Sequence, residues 1–359
     1  MSKAEYKRLG DYIREVNVRN RELKVTKPMG INIDKRFMPS VANVIGTDLS
    51  IYKLVSKMQF ACNLMHVGRD EKIPMALHID EAPIIVSPAY FVFEVVEPGV
   101  LLPDYLMMWF RRPEFDRNAW FYTDADVRGG MEKIALLDMR LPIPSIVRQR
   151  EIVAEYETLT NRIRLNNQII QHLEATAQAL YRKTYVDNID KENLPEGWRM
   201  GTLGEFCEIK YGKAHEGIPD GSIPIYGSGG IMRFGNKYIY TNESVLIPRK
   251  GSLNNITFVD SPFWTVDTMF YTEMKLSCVA KYVYFNLKQY NFMSMDAGSA
   301  VPSMTTAILN QIELIIPTLD VLEQFDKHES VLFNQTKIKN QENDKLTELQ
   351  SLLLAKMGQ

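Results

Sequence analysis

The chain has 359 residues, with 42 Lys+Arg against 44 Asp+Glu and a formal net charge of −2. That length allows two or three domains, each with its own core, and the charge balance excludes a globally basic nucleic-acid binder, so any such surface must be local. Three scattered cysteines, Cys62, Cys207 and Cys278, argue against a disulfide framework and for a reducing cytoplasm; no apolar run reaches the ~18–20 residues of a membrane span, and the first residues hold no secretory-signal segment.

Residues 1–147 read as a strand-rich globular unit. ALHIDEAPIIVSPAYFVFEVVEPG alternates and then runs apolar, and LLPDYLMMWFRRPEFD has helical spacing that Pro113 ends. Residues 148–187 read as one long helix. Tyr156, Ile163, Ile170 and Ala177 take one seam position and Ile152, Leu159, Leu173 and Leu180 the other, with polar Asn166 inside the second. That spacing predicts a coiled coil. Residues 188–317 repeat the strand-rich pattern, with AKYVYFNLKQYNF as the counterpart of the Leu101 helix, and residues 318–359 form a second long helix. Its middle, NQTKIKNQENDK, offers only Ile338 as an apolar seam residue.

The two halves are copies. With Met131 set on Met304, Leu136 falls on Leu309, Leu141 on Leu314, Pro144 on Pro317, Asn167 on Asn340 and Leu180 on Leu353. Upstream, LGDYIREV at Leu9 echoes LGEFCEIK at Leu203. Two tandem copies predict an α+β fold: two mixed α/β units separated by two long antiparallel coiled-coil helices, as a pseudo-two-fold duplication.

Catalytic motifs are missing. The five histidines do not cluster, and there is no HExxH or paired CxxC, so no structural or catalytic zinc is expected; spacing leaves a Ser/His/Asp triad open, but no GxSxG elbow supports one. GSGGIMRFGNK fails as a phosphate loop, because Asn236-Lys237 stands where Lys-Ser/Thr is required. Asp267, Glu273 and Lys275 have a nuclease-like order, but they sit in a segment whose alternation predicts a strand with one polar face in solvent.

What each unit does carry is polar-basic turns. Arginine and lysine suit phosphates and guanine edges, and asparagine suits adenine. The candidate DNA contacts are Arg69 and Arg128 in the first unit, and Lys213, Ser228, Arg249, Lys250, Asn254 and Asn255 in the second. Arg19, Lys35, Arg36, Lys72, His215, Arg233 and Lys237 stand in the same kind of segment.

The opener LPEGWRMGTLGE, the exits GSAVPSMTTAILNQIELIIPTLDVLEQF and RGGMEKIALLDMRLPIPSIVRQREIV, and the segments PRKGSLNN and PFWTVDTMFY resemble the specificity (S) subunit of type I restriction-modification systems along the whole chain. The resemblance implies two target-recognition domains, each reading one half of a split double-stranded DNA site. It implies helices that set the spacer and dock two methyltransferase (M) subunits, which restriction (R) subunits join. The resemblance also implies that this chain has no catalytic residue, metal or cofactor of its own; S-adenosylmethionine, ATP and Mg would then belong to those partners. Because the two units differ between their shared edges, the site should be asymmetric. The competing readings are a coiled-coil protein-binding scaffold and a single-chain methyltransferase or nuclease.

Overall fold

The computed structural model describes residues 5–40, 46–65, 67–123, 129–187, 189–295 and 303–358. By packing, the chain divides into unit 1, residues 1–166 with 341–359, and unit 2, residues 167–340. Each long helix therefore lends a segment to each unit.

Unit 1 holds a four-stranded antiparallel sheet ordered Ile13–Glu15, Phe91–Val95, Gln59–Cys62, Met75–Leu77. A second sheet is ordered Phe37–Pro39, Pro28–Ile31, Ile84–Val86, Lys53–Val55, and its Pro28–Ile31/Ile84–Val86 pair is parallel. Unit 2 repeats this plan. Its four-stranded sheet is Cys207–Tyr211, Met269–Met274, Ser244–Pro248, Thr257–Val259, and its second sheet is Gly230–Gly235, Asp220–Gly227, Trp264–Thr265, again with one parallel pair. A two-stranded ribbon closes each copy: Tyr6–Arg8 with Arg140–Pro142, and Arg199–Thr202 with Glu313–Ile316.

The duplication reaches single hydrogen bonds. Tyr105 Oη donates to the Pro142 carbonyl at 3.1 Å, and Tyr282 Oη donates to the Ile315 carbonyl at 2.5 Å. The Leu9 amide bonds the Met139 carbonyl at 2.8 Å, and the Leu203 amide bonds the Ile312 carbonyl at 2.9 Å. Burying these backbone acceptors without a donor would be costly, so both copies keep the same solution.

The first long helix spans Ile146–Tyr185 and the second Leu319–Lys356. Along the first, every predicted seam residue is buried or half-buried: Ile152, Tyr156, Leu159, Ile163, Asn166, Ile170, Leu173, Ala177 and Leu180. The second departs from expectation. Ile338 is 51% exposed, while Glu329, Leu332, Thr336, Lys339, Asn343, Leu346, Gln350 and Leu353 are covered. The three-four alternation is thus continuous but partly polar. Within each unit the two helix segments run antiparallel. In unit 1 Gln350 Nε2 donates to Thr160 at 2.7 Å and Asn166 Nδ2 to Asn343 at 3.0 Å. In unit 2 the Tyr181 and Phe325 rings lie 6.1 Å apart, and Tyr185 Oη donates to the Val321 carbonyl at 3.5 Å.

Each unit has its own core. In unit 1, Phe60 and Phe93 stack and Phe110 meets both edge-on, and Leu354 of the second long helix and Met357 just after it join them. In unit 2, Phe270, Val245 and Ile247 pack with Tyr181, Tyr185, Tyr282 and Phe325. The other face of that sheet buries Leu246, Met269 and Tyr271 in a smaller cluster. The Met269–Met274 strand therefore has no solvent face over most of its length, contrary to its sequence alternation. Its polar member Thr272 is satisfied internally, accepting from the Val245 amide at 2.8 Å and donating to the Val245 carbonyl.

Candidate nucleic-acid interface

Five of the six unit 2 candidates lie on loops that touch one another. The hairpin between Asp220–Gly227 and Gly230–Gly235 carries Ser228 at its tip, and the loop after Ser244–Pro248 carries Arg249, Lys250, Asn254 and Asn255. Asn255 Nδ2 donates to the Ser228 carbonyl at 2.9 Å, which ties the two loops together. Gly251 has a φ of +82°, which a side chain tolerates poorly, and a Cβ there would meet Ser228 Oγ at 2.8 Å. Arg249 is half-buried: its guanidinium lies 5.4 Å from the Tyr211 ring centre and donates to the Asp267 carbonyl at 3.3 Å. The sixth candidate, Lys213, follows Gly212 at the end of the Cys207–Tyr211 strand. Its amide donates to Thr265 at 2.9 Å, and its carbonyl accepts from Trp264 Nε1 at 2.9 Å.

The cluster separates two kinds of residue. Lys213, Lys250 and Asn254 are exposed. Asn254 Nδ2 donates to Asn291 at 3.0 Å, a bond on the surface that DNA could displace. Asn255 and Arg249 are partly engaged with the fold. Arg233, from a neighbouring sequence segment, is a brace: its guanidinium donates to the His215 carbonyl at 2.7 Å and the Ile218 carbonyl at 2.9 Å, holding the loop before Asp220. The exposed face of the same hairpin carries Ile231, Met232 and Phe234, each at least 50% exposed, an outward apolar strip beside the basic loops.

In unit 1 Arg128 lies outside the described residues. Arg69 is placed only by its backbone, in the short helix Val67–Asp70, and its side chain is likewise outside them. That helix belongs to the loop after Gln59–Cys62, the counterpart of the unit 2 loop holding Asn254: the Met131 amide bonds Leu64 at 2.9 Å, as the Met304 amide bonds Arg249 at 2.9 Å. Lys35 is not a surface cation. Its side chain is 4% exposed, and Nζ donates to Asp116 at 2.6 Å and the Ile73 carbonyl at 2.9 Å. Burial pulls its pKa below the usual lysine value, and the Asp116 charge opposes that shift.

Asp267 and Glu273 sit at opposite ends of Met269–Met274, and Lys275 Nζ donates to the Gly204 carbonyl at 2.6 Å, so the nuclease-like triple does not assemble. Among the described residues, no group of three or more His, Cys, Asp or Glu could hold a metal ion. No helix among them is long and apolar enough to cross a membrane.

A family model for the type I restriction modification DNA specificity domain matches residues 195–348. A type I restriction enzyme specificity subunit of Haemophilus influenzae is 30% identical over 111 residues, covering 30% of this chain and 29% of that protein's length. The type I restriction enzyme HindI specificity subunit of the same organism is 21% identical over 367 residues, 74% of this chain and 79% of the relative. Among solved structures, the S subunit of a type I restriction-modification system from M. genitalium has a TM-score of 0.62 at 13% identity, covering 99% of this chain and 97% of that one. A chain from a study of complex assembly and conformational transition of the type I R-M system has a TM-score of 0.53 at 15% identity, covering 100% and 98%. At such identities these two show a shared fold. Residues 195–348 thus match the type I restriction modification DNA specificity domain, and over most of its length the chain is similar to specificity subunits of type I restriction-modification systems.

Proposed function

We propose that this chain is the non-catalytic subunit that tells a type I restriction-modification complex where to act. Each unit reads one half of a bipartite, asymmetric site on double-stranded DNA. Residues 1–147 and 188–317 are the reading domains, and the helices 148–187 and 318–359 set the spacer and dock two methyltransferase subunits. Restriction subunits join that assembly in the cytoplasm. S-adenosylmethionine, ATP and Mg act on the partners.

The observation that carries this reading is that one topology occurs twice with different chemistry at the same place. The hairpin tip and the neighbouring loop are tied by Asn255 and Ser228 in unit 2, and by Lys35 and Ile73 in unit 1. Two readers with unlike loops suit two unlike half-sites. Splitting the site also multiplies discrimination, since each mismatched pair costs about 1–3 kcal/mol in either half. Methylome mapping of a host with and without the gene tests it. A bipartite, non-palindromic motif that vanishes with the gene is expected, whereas a palindromic motif or an unchanged methylome overturns the reading.

A further inference from the structure

We propose that unit 1 grips the DNA backbone through a cleft in which Lys72, Arg111 and Arg117 take phosphate oxygens. This rests on the DNA-recognition reading above and extends it to residues outside the turn candidates of that unit.

The cleft has a volume of about 430 Å³. It opens between the Pro28–Ile31/Phe37–Pro39 hairpin tip, the loop after Gln59–Cys62 and the helix Pro113–Phe121, all in unit 1. In unit 2 the corresponding hairpin tip and loop are the pair joined by Asn255 and Ser228. The duplicated topology thus puts the cleft where the other copy carries its own candidate contacts.

The cleft is a built feature. Its floor is the buried Lys35–Asp116 pair, which also accepts the Ile73 amide at 3.2 Å. Two non-glycine residues that line it, Lys35 and Glu71, have left-handed backbones with φ of 60° and 53°. Such conformations persist only where the surroundings hold them, and they gather at working sites. Here the Lys35 ion pair and its bond to Ile73 hold both loops.

With Lys35 and Asp116 neutralising each other, the charged groups left on the walls are Lys72, Arg111 and Arg117 against Asp34 and Glu71. The cations are only loosely occupied. Arg117 is 72% exposed with Glu114 no closer than 3.4 Å, and Arg111 stands 5.9 Å from the Tyr156 ring centre. Lys72 and Arg117 are exposed and Arg111 is half-buried; cations with weak partners release little when they turn to a phosphate, while gaining counterion release from the duplex. A net positive cleft flanked by acids suits a backbone that passes at one edge and excludes an acidic peptide lying along its length.

The two copies differ here. Unit 1 carries the nine-residue helix Pro113–Phe121, which supplies Arg117, while among the described residues the corresponding stretch of unit 2 holds the short 3-10 turn Phe292–Met295. In this reading the cleft serves the half-site that unit 1 reads.

The test uses the full chain assembled with its methyltransferase subunits, on a duplex carrying the mapped motif and on a scrambled duplex. Affinity is read by fluorescence anisotropy over a salt series for Lys72→Ala, Arg117→Ala and the double variant. Each single change should weaken both duplexes alike, by roughly 3- to 10-fold at low salt. It should also reduce the slope of log affinity against log salt by about 1, with the methylated motif unchanged. Unchanged affinity and slope overturn the proposal. So does a changed first half-motif, which would mean base reading, or lost assembly with intact DNA affinity, which would mean a protein-facing surface. If the unmodified complex itself shows no salt-dependent DNA affinity, the recognition reading fails and this inference falls with it; any of the three overturning outcomes in a wild-type complex that does bind refutes the cleft alone.

Discussion

Asn166 donates its side-chain amide to Asn343 at 3.0 Å inside the seam between the two long helices, and its own Oδ1 has no partner. Both residues belong to unit 1, and Asn166 is fully buried. A polar pair within an apolar seam weakens the interface but penalises other alignments, since any slip leaves an amide buried without a partner. Asn343→Leu should therefore destabilise the protein by about 1–3 kcal/mol. Asn166→Leu combined with Asn343→Leu should recover the loss or exceed the wild type, at the expense of a unique register. Thermal unfolding of the three variants decides it, and a single variant as stable as wild type would remove the pair's assigned role.

A different polar seam residue predicts a pH dependence. Glu329 is fully buried in unit 2, and neither carboxylate oxygen has a hydrogen-bond partner. Nearby Lys281 is already shared between Glu243 at 2.7 Å and Asp326 at 2.9 Å. Burial raises the Glu329 pKa to about 7; Lys281 lowers it and Asp326 adds to the rise. Because the folded pKa lies above the unfolded one, the contribution is complete at acid pH and disappears as pH climbs from about 4.5 through 7. Ionisation there costs on the order of 3 kcal/mol. Glu329→Gln should abolish that decline, so its melting temperature should exceed the wild type's at pH 8 and match it near pH 5. Parallel melting curves across pH would argue against a buried neutral carboxyl.

The Lys35–Asp116 pair makes a prediction of another kind. Removing one partner of a buried pair leaves an uncompensated charge, so Lys35→Met should cost about 3–5 kcal/mol. The double change Lys35→Met with Asp116→Leu should restore most but not all of it, because the Ile73 amide loses its acceptor as well. Chemical denaturation of both variants provides the measurement.

What the sequence disclosed follows from which signals are local. The apolar three-four spacing of the first long helix was readable residue by residue, because Leu159, Ile163 and Leu173 mark the seam on their own. On the second helix the same spacing runs through Thr336, Lys339 and Asn343, which an apolar count passes over in favour of Ile338, a residue that faces solvent. The group of buried Lys281 with half-buried Glu243 and Asp326 joins residues 38 and 45 positions apart, a distance that only the fold closes. Turn composition found the unit 2 loops but not the inward aim of Arg233. Arg111 and Arg117 were missed because Pro113 reads as the end of one helix, whereas it also begins the next at its first turn, where its lacking amide costs nothing.

The split between bonded and free side chains in the unit 2 loops gives the last test. Lys213 and Lys250 are exposed and reach out from a braced backbone, so Lys213→Ala and Lys250→Ala should weaken DNA affinity of the assembled complex and flatten its salt dependence, with the melting temperature unchanged. Asn255 instead ties the hairpin to the loop through the Ser228 carbonyl. Asn255→Ala should lower stability by about 1 kcal/mol and loosen the loop, so that affinity falls through mispositioning and the effect does not scale with salt. If the lysine variants melt early, or the Asn255 variant shows the larger change in salt slope, the division of these loops into contacts and supports is wrong.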